Sequence, residues 1–185
     1  MSQPSQPSLR TTRLLLRPFV LSDAEDVQRL AEDRAVAEPT SAIPHPYLDG
    51  MAESWIKTHR KSFADGKQAV FAVTLTGSGE LLGAISLMCM HRTHQRAEIG
   101  YWIGRDFWNQ GYATEAARRL IAFAFDLGLR RVCGRCLKRN PASARVMEKA
   151  GMRPEGCLRA HEFKAGRFED VLLYGVLKDE WRVEQ

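Results

Sequence analysis

The stretch WNQGYATEAARRL, residues 108–120, decides how this chain is read. Gly111 and Ala113 flank Tyr112, and Ala113, Ala116, Ala117, Leu120, Ile121 and Ala124 then recur at helical spacing, which predicts a helix from Tyr112 to about Leu127. A helix start leaves up to four backbone N–H groups without intrahelical partners, and the aligned peptide dipoles add positive charge there. Gly111 removes a side chain where a ligand would approach, and Ala113 keeps the next position small, so the stretch reads as a phosphate cradle. A turn glycine followed by packing alanines would look the same. Two familiar cradles are absent: the chain holds no Gly-x-x-x-x-Gly-Lys-Ser/Thr, and no Gly-x-Gly-x-x-Gly follows a strand.

Working outward, the strand AEIGYWI (97–103) precedes the cradle and RRVCGRCL (130–137) follows it. Asn140 is a favoured helix cap, Pro141 fits the first helical position and Gly151 suits the residue that ends a helix, which predicts a short helix over 141–150. GCLRAHEFKAGRFEDVLLYGVL (156–177) reads as two strands joined through Ala165 and Gly166. Upstream, residues 1–8 are a polar lead-in expected to be disordered, RLLLRPF (13–19) is a strand, and Ser22 and Asp23 cap a helix expected to run to about Asp33. EPTSAIPHPYLDG (38–50) carries three prolines and reads as a loop. A helix over 51–63 and two strands, AVFAVTL and LLGAISLM, complete a single α/β domain with a mixed sheet, spanning residues 9–182.

At 185 residues, 44% of them hydrophobic, the chain supports one sizeable core. Its four cysteines, with no signal-like leader and no bilayer-length apolar run, predict a reduced cytoplasmic protein that does not enter a membrane. A formal charge of +5 suits either an anionic ligand or a solvated basic surface, and no interleaved aromatics accompany it, so direct nucleic-acid binding is not expected. Cys133 and Cys136 sit at odd spacing in a strand and face opposite ways, so no metal site is expected. His91 and His94 lie near a strand junction where they reach either substrate or solvent.

The order of strand AEIGYWI, Gly-x-Ala helix start, further strand and NPASARVMEKAGM resembles the GNAT superfamily of N-acetyltransferases. The tail EGCLRAHEFKAGRFEDVLLYGVLKDEW resembles its RimJ/RimL-like branch of ribosomal-protein N-acetyltransferases. The resemblance implies a mostly antiparallel mixed sheet, flanked by helices and splayed between strands 97–103 and 131–138 around acetyl-coenzyme A. Backbone of Tyr101, Trp102 and Ile103 would pair with the pantetheine arm, and amides from Asn109, Gln110, Gly111, Tyr112, Ala113 and Thr114 would hold the pyrophosphate. Trp108 stands where the family usually has Gln or Arg, which shifts phosphate binding toward backbone amides.

For the chemistry, the resemblance offers Glu98 and Glu162 as alternative general bases, either of which could instead be a strand carboxylate paired with Arg96 or Arg159. The family's acidic tyrosine is Met147 here, and the branch's serine falls on Ser143, the expected proton donor to the leaving thiolate. Asn140 would contact the cofactor. Direct transfer in a ternary complex is expected, with a protein or peptide N-terminus of small first residue as acceptor. A small amine such as an aminoglycoside, polyamine or amino acid is the alternative, as is a non-catalytic acetyl-coenzyme A-binding regulator. The sequence does not decide between a monomer and a homodimer.

Overall fold

The computed structural model describes residues 5–182. Its eight strands form one sheet in the order β1-β2-β3-β4-β5-β6-β8-β7. They are β1 (Leu9–Arg10), β2 (Leu14–Pro18), β3 (Ala69–Leu75), β4 (Leu81–His91), β5 (Arg96–Ile103), β6 (Arg131–Leu137), β7 (Arg153–Lys164) and β8 (Arg167–Leu177). Every neighbouring pair is antiparallel except β5 and β6. That parallel pair needs a crossover, which α4 (Tyr112–Asp126) supplies by packing its alanine-rich face on Leu16, Phe71, Ile85 and Ile99 in the main core.

Helices α1 (Ala24–Ala31), α2 (Arg34–Ala37) and α3 (Met51–Ala64) cover the opposite sheet face, where Val27, Leu30, Ala52 and Ile56 bury against Ala72 and Leu81. The helix expected from Ser22 to Asp33 is shorter and broken. The Asp23 carboxylate receives both Arg17 nitrogens, at 2.7 and 2.8 Å, and the Val20 amide at 2.9 Å. It therefore closes a 3-10 turn over Leu21–Asp23, and α1 begins at Ala24. Burial opposes ionisation of Asp23, but the Arg17 and Val20 hydrogen bonds outweigh it and hold the carboxyl below its usual range. Asp33, expected to end the helix, instead caps α2 by accepting from the Ala35 amide.

Of the expected lead-in, residues 1–4 lie outside the described residues. Residues 5–8 join no helix or strand, although Gln6 donates to the Val70 carbonyl at 2.7 Å. Helix α5 (Pro141–Lys149) begins at its asparagine cap as expected, with Asn140 Oδ1 accepting from the Ser143 amide at 3.1 Å. No helix among the described residues is long and apolar enough to cross a membrane.

Candidate active site

The pairing of β5 with β6 stops at Ile99 opposite Gly134, while β4 continues to pair with β5 as far as Ile103. Past that register the two strands diverge, and the β6-facing edge of Gly100–Ile103 has no ladder partner among the described residues. Such an edge accepts an extended ligand as an added strand. Trp108, the departure noted in the sequence, has a structural use here: its indole N–H donates to the Ile103 carbonyl at 2.7 Å.

At the start of α4, Asn109 (φ 61°) and Gly111 (φ 81°) both adopt left-handed backbone, and no side chain caps the helix. Glu115 in the first turn is drawn away from those amides. It accepts from Thr11 Oγ1 at 2.5 Å, from the Arg13 amide at 3.0 Å and from Arg13 Nε at 2.7 Å. Burial pushes the Glu115 carboxyl up, yet these hydrogen bonds outweigh it and keep it below the usual range. Arg13 also donates to the Gln110 carbonyl at 3.0 Å and lies over the Tyr112 ring at 4.6 Å, so a cation borders the uncapped amides. A Cβ at Gly111 would meet only Arg13, at 3.5 Å, leaving the approach to the helix start open. This donor set fits an anionic diphosphate.

Across the gap, the two candidate bases converge on a residue the sequence reading missed. Arg135 Nε donates to Glu98 Oε1 at 2.9 Å, and Arg135 Nη1 lies 3.6 Å from Glu162 Oε1. The suggested partners Arg96 and Arg159 are therefore replaced by Arg135. It follows Gly134 on β6, at the point where the strands part, and no sequence spacing reveals that register. Glu162 reaches it from β7, which takes four residue steps from Leu158 to Glu162 where β8 takes two, with Ala160 at φ 49° in the bulge. Asp170 Oδ1 fixes that bulge by accepting from the Ala160 amide at 3.0 Å.

Ser143 sits in the first turn of α5 with its Oγ 2.9 Å from the Tyr101 hydroxyl, which also donates to the Ser143 carbonyl at 2.9 Å. Burial pushes the Tyr101 phenol well above its ordinary value, so it stays protonated and serves as a hydrogen-bond donor. Met147, in the position of the family's tyrosine, is buried in the core, and a Cβ on Gly134 would lie 2.8 Å from its sulfur. A phenol nevertheless reaches Ser143, from β5 instead of α5. Asn140, expected at the cofactor, spends Oδ1 on the helix cap and donates through Nδ2 to the Pro39 carbonyl at 3.1 Å.

Glu98, Arg135, Tyr101 and Ser143 line one cavity of about 470 Å³, whose far wall is the proline-bearing loop. That loop is fastened from the opposite side of the site. Lys164 donates to the carbonyls of Ala37 (2.9 Å), Ile43 (3.3 Å) and Thr40, and Arg139 donates to the Glu38 carbonyl at 2.9 Å. His91 at the end of β4 and His94 in the following turn are exposed, 4.2 Å apart between ring centroids, and lie outside this cavity. Cys133 and Cys136 face opposite ways: Cys133 Sγ contacts the Ala97 carbonyl at 3.4 Å, and Cys136 is buried in the cavity wall, where burial pushes its thiol up to about 11. Among the described residues no group of three or more His, Cys, Asp or Glu could hold a metal ion.

A family model described as "Acetyltransferase (GNAT) domain" matches residues 13–153. The chain belongs to the GNAT acetyltransferase family. It is 36% identical to the "Putative ribosomal N-acetyltransferase YdaF" of Bacillus subtilis (strain 168), over 87% of this chain and 85% of that protein. It is 37% identical to the "Ribosomal-protein-serine acetyltransferase" of Escherichia coli (strain K12), over 54% of this chain and 56% of that one. A GNAT-family acetyltransferase structure from Bacillus anthracis superposes with a TM-score of 0.83 at 28% identity, covering 94% of this chain and all of the other.

The cradle generates a prediction. Replacing Gly111 with valine puts a β-branched side chain at a left-handed position in front of the α4 amides. Acetyl-coenzyme A affinity should fall by about tenfold or more, equivalent to roughly 1.4 kcal/mol, with the circular dichroism spectrum retained. Unchanged affinity by calorimetric titration of the folded variant would remove the phosphate role from this helix start.

Proposed function

We propose that this GNAT acetyltransferase moves an acetyl group from acetyl-coenzyme A directly to the α-amine of a protein or peptide N-terminus. The observation carrying this reading is the cavity at the open end of the β5–β6 gap that Glu98, Arg135, Tyr101 and Ser143 line together, with Glu162 reaching Arg135 from β7. Acetyl-coenzyme A supplies the activated thioester. In this reading the uncapped amides of residues 109–114 hold its diphosphate, and the free edge of Tyr101 and Trp102 aligns its extended arm.

The chain's own groups then manage two protons. An amine must lose its proton to become nucleophilic, and Glu98 or Glu162 takes it, directly or through water. Arg135 positions both carboxylates, donating to Glu98 Oε1 at 2.9 Å and lying 3.6 Å from Glu162 Oε1. The departing sulfur has a modest need, because an ordinary thiol ionises near pH 8.5. A hydrogen bond from Ser143, its hydroxyl oriented by Tyr101, suffices to stabilise it. The one cysteine lining the cavity, Cys136, is buried with its thiol pushed up to about 11, so it is a poor covalent carrier, which favours transfer within a ternary complex.

The acceptor assignment rests on charge. An N-terminal amine has an unperturbed pKa near 8 against about 10.4 for lysine, so roughly a tenth of it is neutral at pH 7 while lysine offers well under one part in a thousand. The α-amine therefore asks less of a general base than lysine does, and it is the matching nucleophile. The four free cysteines suit a reducing, cytoplasmic setting.

Two measurements test this. Ser143→Ala should lower turnover about a hundredfold with acetyl-coenzyme A affinity retained, and of Glu98→Gln and Glu162→Gln only one should abolish the acidic limb of the rate profile. Retained turnover in Ser143→Ala, or an unaltered limb in both glutamine variants, contradicts the assigned roles. Mass spectrometry of products from a mixed panel of peptides, polyamines, aminoglycosides and amino acids should show N-terminal peptide acetylation predominating. A small amine outcompeting every peptide in kcat/KM by orders of magnitude would contradict it, and binding without turnover on any acceptor would indicate a regulator.

A further inference from the structure

We infer that the acceptor carries a bulky apolar side chain, of the leucine, methionine or phenylalanine kind, on the carbon bearing the reacting amine. The inference rests on the transferase reading above and replaces the small first residue expected from sequence. It starts from the half of the cavity remote from Ser143, which lies between α1, α3 and the sheet face carrying Trp102. Its walls are Val27, Ile43, Tyr47, Met51, Trp55 and Trp102. These are apolar or aromatic side chains, and they are held in place. Trp55 packs edge-on against Phe19, with centroids 5.1 Å apart, and against His59 at 4.4 Å, while Gln28 Nε2 fixes the Tyr47 carbonyl at 2.8 Å. A preorganised apolar pocket rewards a complementary side chain, because that group leaves water without having to order its own receptor.

Charge narrows the class. Among the cavity-lining residues Glu98 is the one carboxylate and Arg135 the one cation, and the two are bonded to each other at 2.9 Å. A polyamine would place its second and third ammonium groups against apolar walls with no counter-ion there, which is costly. A free amino acid would bring a carboxylate to a cavity whose cation is already shared between Glu98 and Glu162. A peptide N-terminus with an apolar first side chain has neither fault. It brings one ammonium to the carboxylate end and fills the remainder with hydrocarbon, where serine or alanine would leave the aromatic walls without contact atoms.

The test uses the full chain, acetyl-coenzyme A and peptides identical except for a first residue of Ser, Ala, Leu or Phe, with spermidine as a further acceptor. Leucine and phenylalanine peptides should exceed serine in kcat/KM by about tenfold or more, carried mainly by KM. Met51→Asp introduces a charge in the first turn of α3, where the helix dipole tolerates it, and should shrink the leucine-to-serine ratio about tenfold. Met51→Ala should shrink it by a smaller factor and serves if the aspartate variant does not fold by circular dichroism. Serine or alanine peptides that equal leucine, a ratio unmoved by both Met51 variants, or spermidine as the preferred acceptor would overturn the inference while leaving acetyl transfer intact. Acetylation of no acceptor would overturn the transferase reading and this inference with it.

Discussion

The parting of β5 from β6 after Ile99 and Gly134 is the constraint on which the rest of the site depends. Had the parallel ladder continued, the backbone of Gly100–Ile103 would be satisfied within the sheet, and no passage would join the α4 face to the cavity on the other side. Gly134 marks the last paired register, and Met147 from α5 fills the space its side chain would have taken. The same packing explains an oddity of the sequence. With Met147 committed to the core, a hydroxyl at the gap must come from elsewhere, and Tyr101 on β5 provides it to Ser143.

A second economy lies in Arg135. Glu98 lines the cavity from β5, while Glu162 approaches the same guanidinium from β7. One guanidinium on β6 contacts both and so links β5 to β7, although β8 lies between β6 and β7 in the sheet order. The hairpin that carries Glu162 also carries Lys164, whose ammonium gathers the carbonyls of the proline-bearing loop. Burial and the neighbouring Arg139 push the Lys164 amine below its usual range, a cost offset by those carbonyl contacts. One side of the cavity is thus coupled to the strand that carries a candidate base.

Much of this was legible in the chain because local rules act over short distances. The Asn140–Pro141 start of α5, the glycine-opened α4 and the strand AEIGYWI are each set by a few adjacent residues, and they fall where expected. The misses are long-range. Asp23 looked like a helix cap until Arg17 on β2 claimed its carboxylate. Arg135 was invisible because it meets Glu98 through a parallel register and Glu162 through a bulge two strands away, neither of which spacing encodes. Trp108, odd beside the family pattern, makes sense once its indole is seen to hold the Ile103 carbonyl.

The central claim is that the β5–β6 gap and the start of α4 together receive acetyl-coenzyme A. Amide hydrogen–deuterium exchange with and without saturating acetyl-coenzyme A measures this directly, because backbone groups that acquire a ligand partner exchange more slowly. The account predicts slowed exchange confined chiefly to two segments, residues 100–103 on β5 and residues 109–114 at the head of α4. Calorimetrically confirmed binding that leaves exchange in both segments unchanged would contradict it.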